Sequence, residues 1–366
     1  MNIIKSHSRS FFIIISLAIF ASGSPSNAAN LESINIYGYF DLEYCQTTGN
    51  RFYKSGPEDP NLKNGAFDQR HMNILADIAV DSRIALKTHI EFEHGIHPSA
   101  DSASVIMEYG FAEYTFGDAL KIRAGKMLTP YGLYSEMHDA TPAYLTTSPP
   151  DTFYRAEFYG GAMLMPKWST GLAVMGELSI FSTLHNVDYV IYVGNGESRF
   201  TTNTSEQDDN PNKAVGGRVQ FVSENEFLIL GVSGFIGDRA FTTDELRVSH
   251  VSFAGHASVS FSGMNITSEF GRSVLGRVTE ETWYVQASMR FGRVTPYVRY
   301  QFLNPDSSLP DDAWMITLGG VNIMMTDALA LKVEWNDNRR GIRNLDIISG
   351  EDKNFGEFRA ALTLMF

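Results

Sequence analysis

The stretch FRAALTLMF, Phe358 to Phe366, ends the chain with Phe358, Ala360, Leu362, Leu364 and Phe366 at every second position. Successive side chains of a strand point to opposite sides, so these five share one face while Arg359 and Thr363 fall on the other. One face suits hydrocarbon and the other suits water. Such a strand belongs to a half-buried soluble sheet or to a barrel closed within a membrane, and the rest of the chain decides between them.

The opposite end reads as an export signal. Lys5 and Arg9 precede the apolar run Phe11 to Ala21, and Ser26-Asn27-Ala28 offers small residues for cleavage, so residues 1–28 are expected to be removed. The run is shorter than the roughly 20 residues a spanning helix requires, and no later stretch is long and apolar enough to replace it. A membrane role for residues 29–366 then falls to strands, which cross lipid only as closed barrels.

Composition agrees with this. Hydrophobic residues make up 43% of the 366 and mean hydropathy is −0.14, values that look soluble because a barrel hides its lipid face in alternation rather than in runs. The formal net charge of −13 becomes about −15 once Lys5 and Arg9 leave, which argues against nucleic acid as a partner. The single cysteine, Cys45, has no second thiol for an intrachain disulfide.

Period-2 runs continue along the chain, separated in turn by short and long connections. They are predicted at Ser33–Cys45, Met72–Val80, Ile84–Phe92, Val105–Phe116, Leu120–Ala124, Leu172–Ile180, Val187–Val193 and Lys213–Val222. The second half adds Phe227–Gly237, Val248–Phe261, Met264–Arg272, Trp283–Phe291, Thr295–Leu303, a strand opening at Trp314, Leu329–Trp335 and the closing strand from Phe355. This is an all-β, antiparallel, up-and-down transmembrane barrel of about 16 strands, one domain over 29–366. The fourth and sixth runs are the weakest, which leaves fourteen and eighteen as alternatives, and the facing of the fourth is not fixed by its sequence. Between Thr129 and Ser169 the period is lost altogether, through Pro130, Pro142 and Pro149-Pro150. A structureless stretch of that length is usually functional.

Four segments, KIRAGKMLTPYG (Lys121 to Gly132), VTPYVRYQF (Val294 to Phe302), LALKVEWND (Leu329 to Asp337) and the terminal Phe366, resemble the phosphate-selective porin O and P family of Gram-negative outer-membrane porins. The resemblance covers most of the chain after the leader. It implies a sixteen-stranded, trimeric, passive channel for small hydrophilic solutes or ions, whose long third loop folds into the pore. By position, Thr129–Ser169 corresponds to that loop, which makes Glu136, Asp139, Asp151, Arg155 and Glu157 candidates for a constriction.

Wall charges facing water set the selectivity of such a channel. Nine basic side chains fall on predicted lumen faces: Arg83, Lys87, Lys121, Arg123, Arg218, Arg290, Arg299, Lys332 and Arg359. Nine acidic ones match them: Asp41, Glu43, Asp77, Glu91, Glu93, Glu177, Glu269, Glu334 and Glu357. A pore selecting phosphate should show a basic excess, and this chain departs from the family there. The surplus negative charge is expected in loops and turns, at Glu206-Gln207-Asp208-Asp209, Asp238, Asp244-Glu245, Glu280-Glu281 and Asp311-Asp312. There, divalent cations would bridge it to anionic lipopolysaccharide.

His89, Glu91, Glu93, His94 and His97 crowd one strand end, but without a repeated ligand pair no metal or cofactor is expected; His250 and His256 read as polar wall groups. No Gly-x-Ser-x-Gly motif supports an enzymatic barrel. A non-conducting barrel and a phospholipase- or protease-type barrel remain the alternatives to a channel. The facing also predicts that Leu362→Arg or Leu331→Arg impairs membrane assembly, measured as folded yield in lipid vesicles, whereas Thr363→Arg does not.

Overall fold

In the computed structural model, which describes residues 31–49, 62–93, 104–137, 140–156, 163–180, 185–197, 212–240, 247–341 and 352–366, the alternation becomes sixteen strands. They are β1 (Ser33–Thr47), β2 (Ala66–Ala79), β3 (Ile84–Glu93), β4 (Ser104–Gly117), β5 (Leu120–Leu128), β6 (Trp168–Ile180), β7 (His185–Asn195) and β8 (Lys213–Val222). Then follow β9 (Leu228–Ala240), β10 (Arg247–Phe261), β11 (Met264–Leu275), β12 (Val278–Met289), β13 (Val294–Asn304), β14 (Trp314–Met324), β15 (Leu329–Arg340) and β16 (Asn354–Met365).

Each strand pairs antiparallel with its neighbours in chain order, and β16 returns to β1, with Tyr39 opposite Met365 and Thr47 opposite Glu357. Gly38 and Phe366 exchange backbone hydrogen bonds of 2.9 and 3.0 Å at the seam. No edge is left unpaired, which is the condition for a sheet to stand in hydrocarbon.

The outward face is an apolar belt. Ile36, Ile191, Val232, Ile236, Phe253, Val298, Trp335 and Leu362 are all exposed, although residues of these types normally make a protein's core. Polar side chains instead fill the inward face, where Asn73, Glu91, His250, Glu269, Gln301, Lys332 and Glu334 are almost fully buried. An exposed apolar belt around an enclosed polar interior is the arrangement of a barrel in lipid.

Several expectations are corrected by the geometry. The facing of β4 was illegible because the strand is bulged. His89 pairs with Tyr109 and Ile90 with Met107, so Glu108 is the extra residue and the side-chain parity flips there. Val105 and Met107 point outward, whereas Phe111, four residues beyond Met107, is buried inside. Arg83 and Arg290 do not line the wall. Both are exposed in short turns, Arg83 just before β3 and Arg290 just after β12, where its Nε donates to the Gly292 carbonyl.

Asp238 and Glu280 are not loop residues either but belong to β9 and β12, and Glu280 is buried. The cause is that β11 and β12 extend toward each other until only Gly276-Arg277 separates them, the one tight connection at the long-loop end among the described residues. Residues 1–28, His94, His97, Asp139, Glu157, Glu206–Asp209 and Asp244-Glu245 lie outside the described residues, as does the side chain of Glu93.

Thr363 faces inward as expected but is 1% exposed, so an arginine there has no room. Asp188, half-buried on the inward face of β7, is the better control. Ile191→Arg on the outward face of β7 is expected to cost about 2–4 kcal/mol of folding free energy in bilayers, and Asp188→Arg close to none, read from urea unfolding in lipid vesicles.

Candidate functional site

Strands β5 and β6 are joined by residues 129–167, whose neck is closed by a hydrogen bond of 3.0 Å from the Thr129 amide to the Lys167 carbonyl. At the far side of the neck, Trp168 donates through Nε1 to Glu108 at 3.0 Å, and Lys167 pairs with the same carboxylate at 3.3 Å. Between them the described residues hold little regular structure: single 3-10 turns at Ser135–Met137 and Thr141–Ala143, and the four-residue helix α1 (Asp151–Tyr154). Most of it is nevertheless buried, including Tyr131, Thr146, Ser148, Thr152, Phe153, Tyr154, Leu164 and Met165. Buried backbone without secondary structure must find hydrogen-bond partners elsewhere. The inward wall provides them.

The first anchor is Glu269 on β11. Its carboxyl group accepts from the Tyr154 hydroxyl at 2.7 Å, the Tyr284 hydroxyl at 2.8 Å and the Leu133 amide at 2.8 Å. The Tyr154 oxygen in turn accepts from the amides of Leu133 and Tyr134, both at 2.9 Å. Burial, then the neighbouring Glu269, pushes the Tyr154 phenol well above its ordinary range, and the same two causes push Tyr134 up to about 12. Both stay protonated, and the Tyr154 hydroxyl remains a donor to Glu269. Gly132, the last residue of the Pro-Tyr-Gly turn, sits beside this anchor at φ 59°, and a Cβ there would collide with the Tyr154 hydroxyl and the Glu269 carboxyl. Gly271 on β11 clears the wall in the same way for Leu164 and Phe153.

The second anchor is cationic. Lys332 on β15 aims its ammonium at three carbonyls, those of Thr141, Tyr144 and Thr146, at 2.5, 2.7 and 3.0 Å. Beside it Glu334 accepts from the Thr147 amide and hydroxyl at 3.2 and 2.7 Å and from the Tyr297 hydroxyl at 3.0 Å. Arg299 on β13 donates to Thr146 Oγ1 at 3.3 Å and to the Ser148 carbonyl at 3.4 Å. Arg359 on β16 donates to Ser148 Oγ at 3.2 Å and lies 3.6 Å from Asp151, with Glu357 as its closest ion-pair partner. Six charges expected to face water, Glu269, Arg299, Lys332, Glu334, Glu357 and Arg359, are thus buried, because the β5–β6 segment covers them.

The charges on β5 to β8 stay open. Arg123 pairs with Glu113 at 3.0 Å and stacks its guanidinium 4.0 Å over the Phe111 ring. Arg218 binds Glu136 of the segment at 2.6 Å and the Gly132 carbonyl at 2.9 Å. Glu136 also lies 3.8 Å from Arg123. Together they border a cavity of about 250 Å³ lined as well by Asp118, Lys121, Glu177, Asp188 and Tyr189. Of the segment charges, Glu136 faces this cavity, Asp151 is tied to the wall and Arg155 closes α1 half-buried. Elsewhere on the wall, Lys87 stands opposite Asp77 across β2 and β3, Asp41 accepts from the His71 amide at 2.7 Å, Glu43 pairs with Arg70 at 2.9 Å, and Glu91 contacts His71 Nδ1 at 2.6 Å.

Sequence reasoning missed a third cluster. Glu197, just beyond β7, reaches Arg239 of β9 at 2.5 Å and His250 of β10 at 2.6 Å, and His250 Nε2 lies 2.8 Å from Ser273 Oγ on β11. Burial opposes ionisation of Glu197, but the facing His250 and Arg239 outweigh it and hold the carboxylate below its usual range. Such a group adds stability above the ordinary carboxylate range and loses it as pH falls through the lowered value. His256 contacts Gln220 at 3.1 Å, as a polar wall group.

No family model matches the chain. An uncharacterized protein of Aquifex aeolicus is 21% identical over 212 residues, 56% of this chain and 44% of that protein, so the chain spans less than half of its length. Solved structures match far more of the molecule. OmpF of Salmonella typhi, in complex with daunomycin, aligns with a TM-score of 0.63 at 12% identity over 93% of this chain and 99% of its own. The outer-membrane channel DcaP of Acinetobacter baumannii gives 0.61 at 10% identity over 91% and 97%. OmpT of Vibrio cholerae in its trimer form gives 0.60 at 12% identity over 91% and 99%. The fold is that of Gram-negative outer-membrane barrels.

Glu269→Ala strips the acceptor from two buried hydroxyls, those of Tyr154 and Tyr284, each worth about 1–3 kcal/mol when unsatisfied, while the Leu133 amide keeps the Tyr154 oxygen. The expected loss is about 2 kcal/mol or more in chemical unfolding, accompanied by new protease cleavage within residues 129–167. Gly132→Ala is expected to destabilise in the same direction, because it meets both backbone strain and collision, and the same two assays read it.

Proposed function

We propose that this chain is a passive diffusion channel of the Gram-negative outer membrane, passing small hydrophilic solutes or ions, exported by its first 28 residues and assembled as a homotrimer. The observation that carries this reading is the division of the inward face. A long segment is fastened to β11–β16 by buried polar groups, while β5 to β8 keep charged side chains around an open cavity. The segment then acts as a constriction, with Glu136 as its charged tip. The likeness to a protein described as an outer-membrane channel and to one described as a trimer supports the same reading.

A phosphate preference receives little support. The cavity is bordered by three basic side chains and four acidic ones, whereas phosphate recognition calls for an excess of guanidinium and ammonium donors. We therefore infer a weakly selective pore, in which Lys121 and Arg123 of the family-like segment are balanced by Glu136, Glu177 and Asp188.

A second reading rests on one observation. Glu197, His250 and Ser273 hydrogen bond in the order of a hydrolase triad. All three are 0% exposed, so they serve better as a brace between β7, β10 and β11 than as a catalytic centre. Labelling of Ser273 by a fluorophosphonate would favour the hydrolase.

The channel is tested by single-channel current of refolded protein in a planar bilayer under a salt gradient. The expected result is stepwise conductance with a reversal potential close to zero and no block by phosphate. Arg218→Glu is expected to move the reversal potential toward the cation limit. Anion selectivity blocked by phosphate would overturn the weak-selectivity assignment, and absence of current would overturn the channel.

A further inference from the structure

The cavity between β5 and β8 differs from the rest of the inward face in one respect. Around the β5–β6 segment the charged groups are paired or spent on backbone, whereas Asp118, Lys121, Glu177 and Asp188 have no ion pair or side-chain hydrogen bond to another described residue. They are also sorted by sign along the strands. Lys121 pairs across to Met175, Met175 to Val190 and Val190 to Arg218, which puts both cations on one registered row. Glu177 pairs directly with Asp188, which puts two carboxylates side by side on a second row, two residues nearer the short-turn end of β6. Two residues along a strand separate the rows by roughly 7 Å.

Two carboxylates in register repel each other unless a cation comes between them. The ammonium of Lys121 is on the neighbouring row and does not reach them as a partner. A solute that places an ammonium between Glu177 and Asp188 and a carboxylate against Lys121 and the remaining guanidinium hydrogens of Arg218 satisfies both rows at once. A simple anion or a simple cation satisfies one row and is repelled by the other. Resting on the channel reading above, we infer that the cavity is a binding station for small zwitterions, of the amino-acid and short-peptide class, oriented with the ammonium toward the short-turn end.

Alanine and lactamide test this directly, because they are isomers of equal size and only alanine is zwitterionic at neutral pH. Each is added to the wild-type channel in a planar bilayer while ion current is recorded. Alanine is expected to reduce the current saturably, whereas lactamide changes it only in proportion to solution conductivity. Replacing both carboxylates, Glu177→Gln with Asp188→Asn, or the ammonium, Lys121→Gln, is expected to raise the half-blocking alanine concentration about tenfold, the loss of one charge-assisted hydrogen bond. Circular dichroism of each variant establishes that the barrel has folded. A wild-type channel that conducts but responds identically to the two isomers overturns the zwitterion station and leaves the channel standing. A wild-type protein that carries no current overturns the channel reading itself.

Discussion

Hydrocarbon offers no hydrogen-bond partner to a backbone amide or carbonyl, and nearly every feature of this molecule follows from satisfying those groups. In the wall they are satisfied by sixteen strands that leave no edge, closed where β1 meets β16 and where Gly38 and Phe366 exchange their last two bonds. Inside, the β5–β6 segment poses the same requirement without strands to meet it. There the wall's own side chains serve as the partners: Lys332 for three carbonyls, Glu334 and Glu269 for amides and hydroxyls, and Arg299 for the turn ahead of α1.

This use of charge decides which wall groups stay in water. A lysine or arginine that is buried and surrounded by carbonyls is withdrawn from water, so the charges counted along the strands are not all charges that the inward face leaves open. Those on β13, β15 and β16 hold the segment in place. The open ones are concentrated on β5 to β8 and contain both signs, with Glu136 of the segment bridging Arg123 and Arg218. The result is an off-centre cavity of mixed charge, whose lining matches neither a phosphate ladder nor a purely basic patch.

Much of the wall was legible in sequence because a barrel writes its two faces into a period of two. The alternation in Trp283–Phe291 and in Phe358–Phe366 suffices to orient β12 and β16, and all sixteen predicted runs correspond to strands. The exceptions have local physical causes. Glu108 is a bulge residue, and an inserted residue reverses parity without leaving any mark on composition. Arg83 and Arg290 continue the alternation of their strands one residue past the last registered pair, Ile84–Tyr114 and Met264–Met289, into turns. Glu280 and Asp238 look like loop acids until pairing with β11 and β10 draws them into the sheet. The aperiodic stretch after Thr129 was visible as an interruption, but its anchoring was not. Glu269 meets Tyr154, and Lys332 meets Thr141, across more than a hundred residues of chain, and nothing in local sequence announces such pairs. The Glu197–His250–Ser273 chain was hidden for the same reason.

The central claim is that one side of the inward face is covered by residues 129–167 and the other is open to water. Thiol labelling tests it without depending on transport. In a Cys45→Ser background, single cysteines replace Lys121 or Asp188 on the open side and Gln301 or Asn336 on the covered side, and a charged, membrane-impermeant maleimide is applied to folded protein in lipid vesicles. Cysteines at 121 and 188 are expected to react at rates close to that of a free thiol. Those at 301 and 336 should react at least about tenfold more slowly, limited by local opening of the segment. Comparable rates at all four positions would contradict the claim.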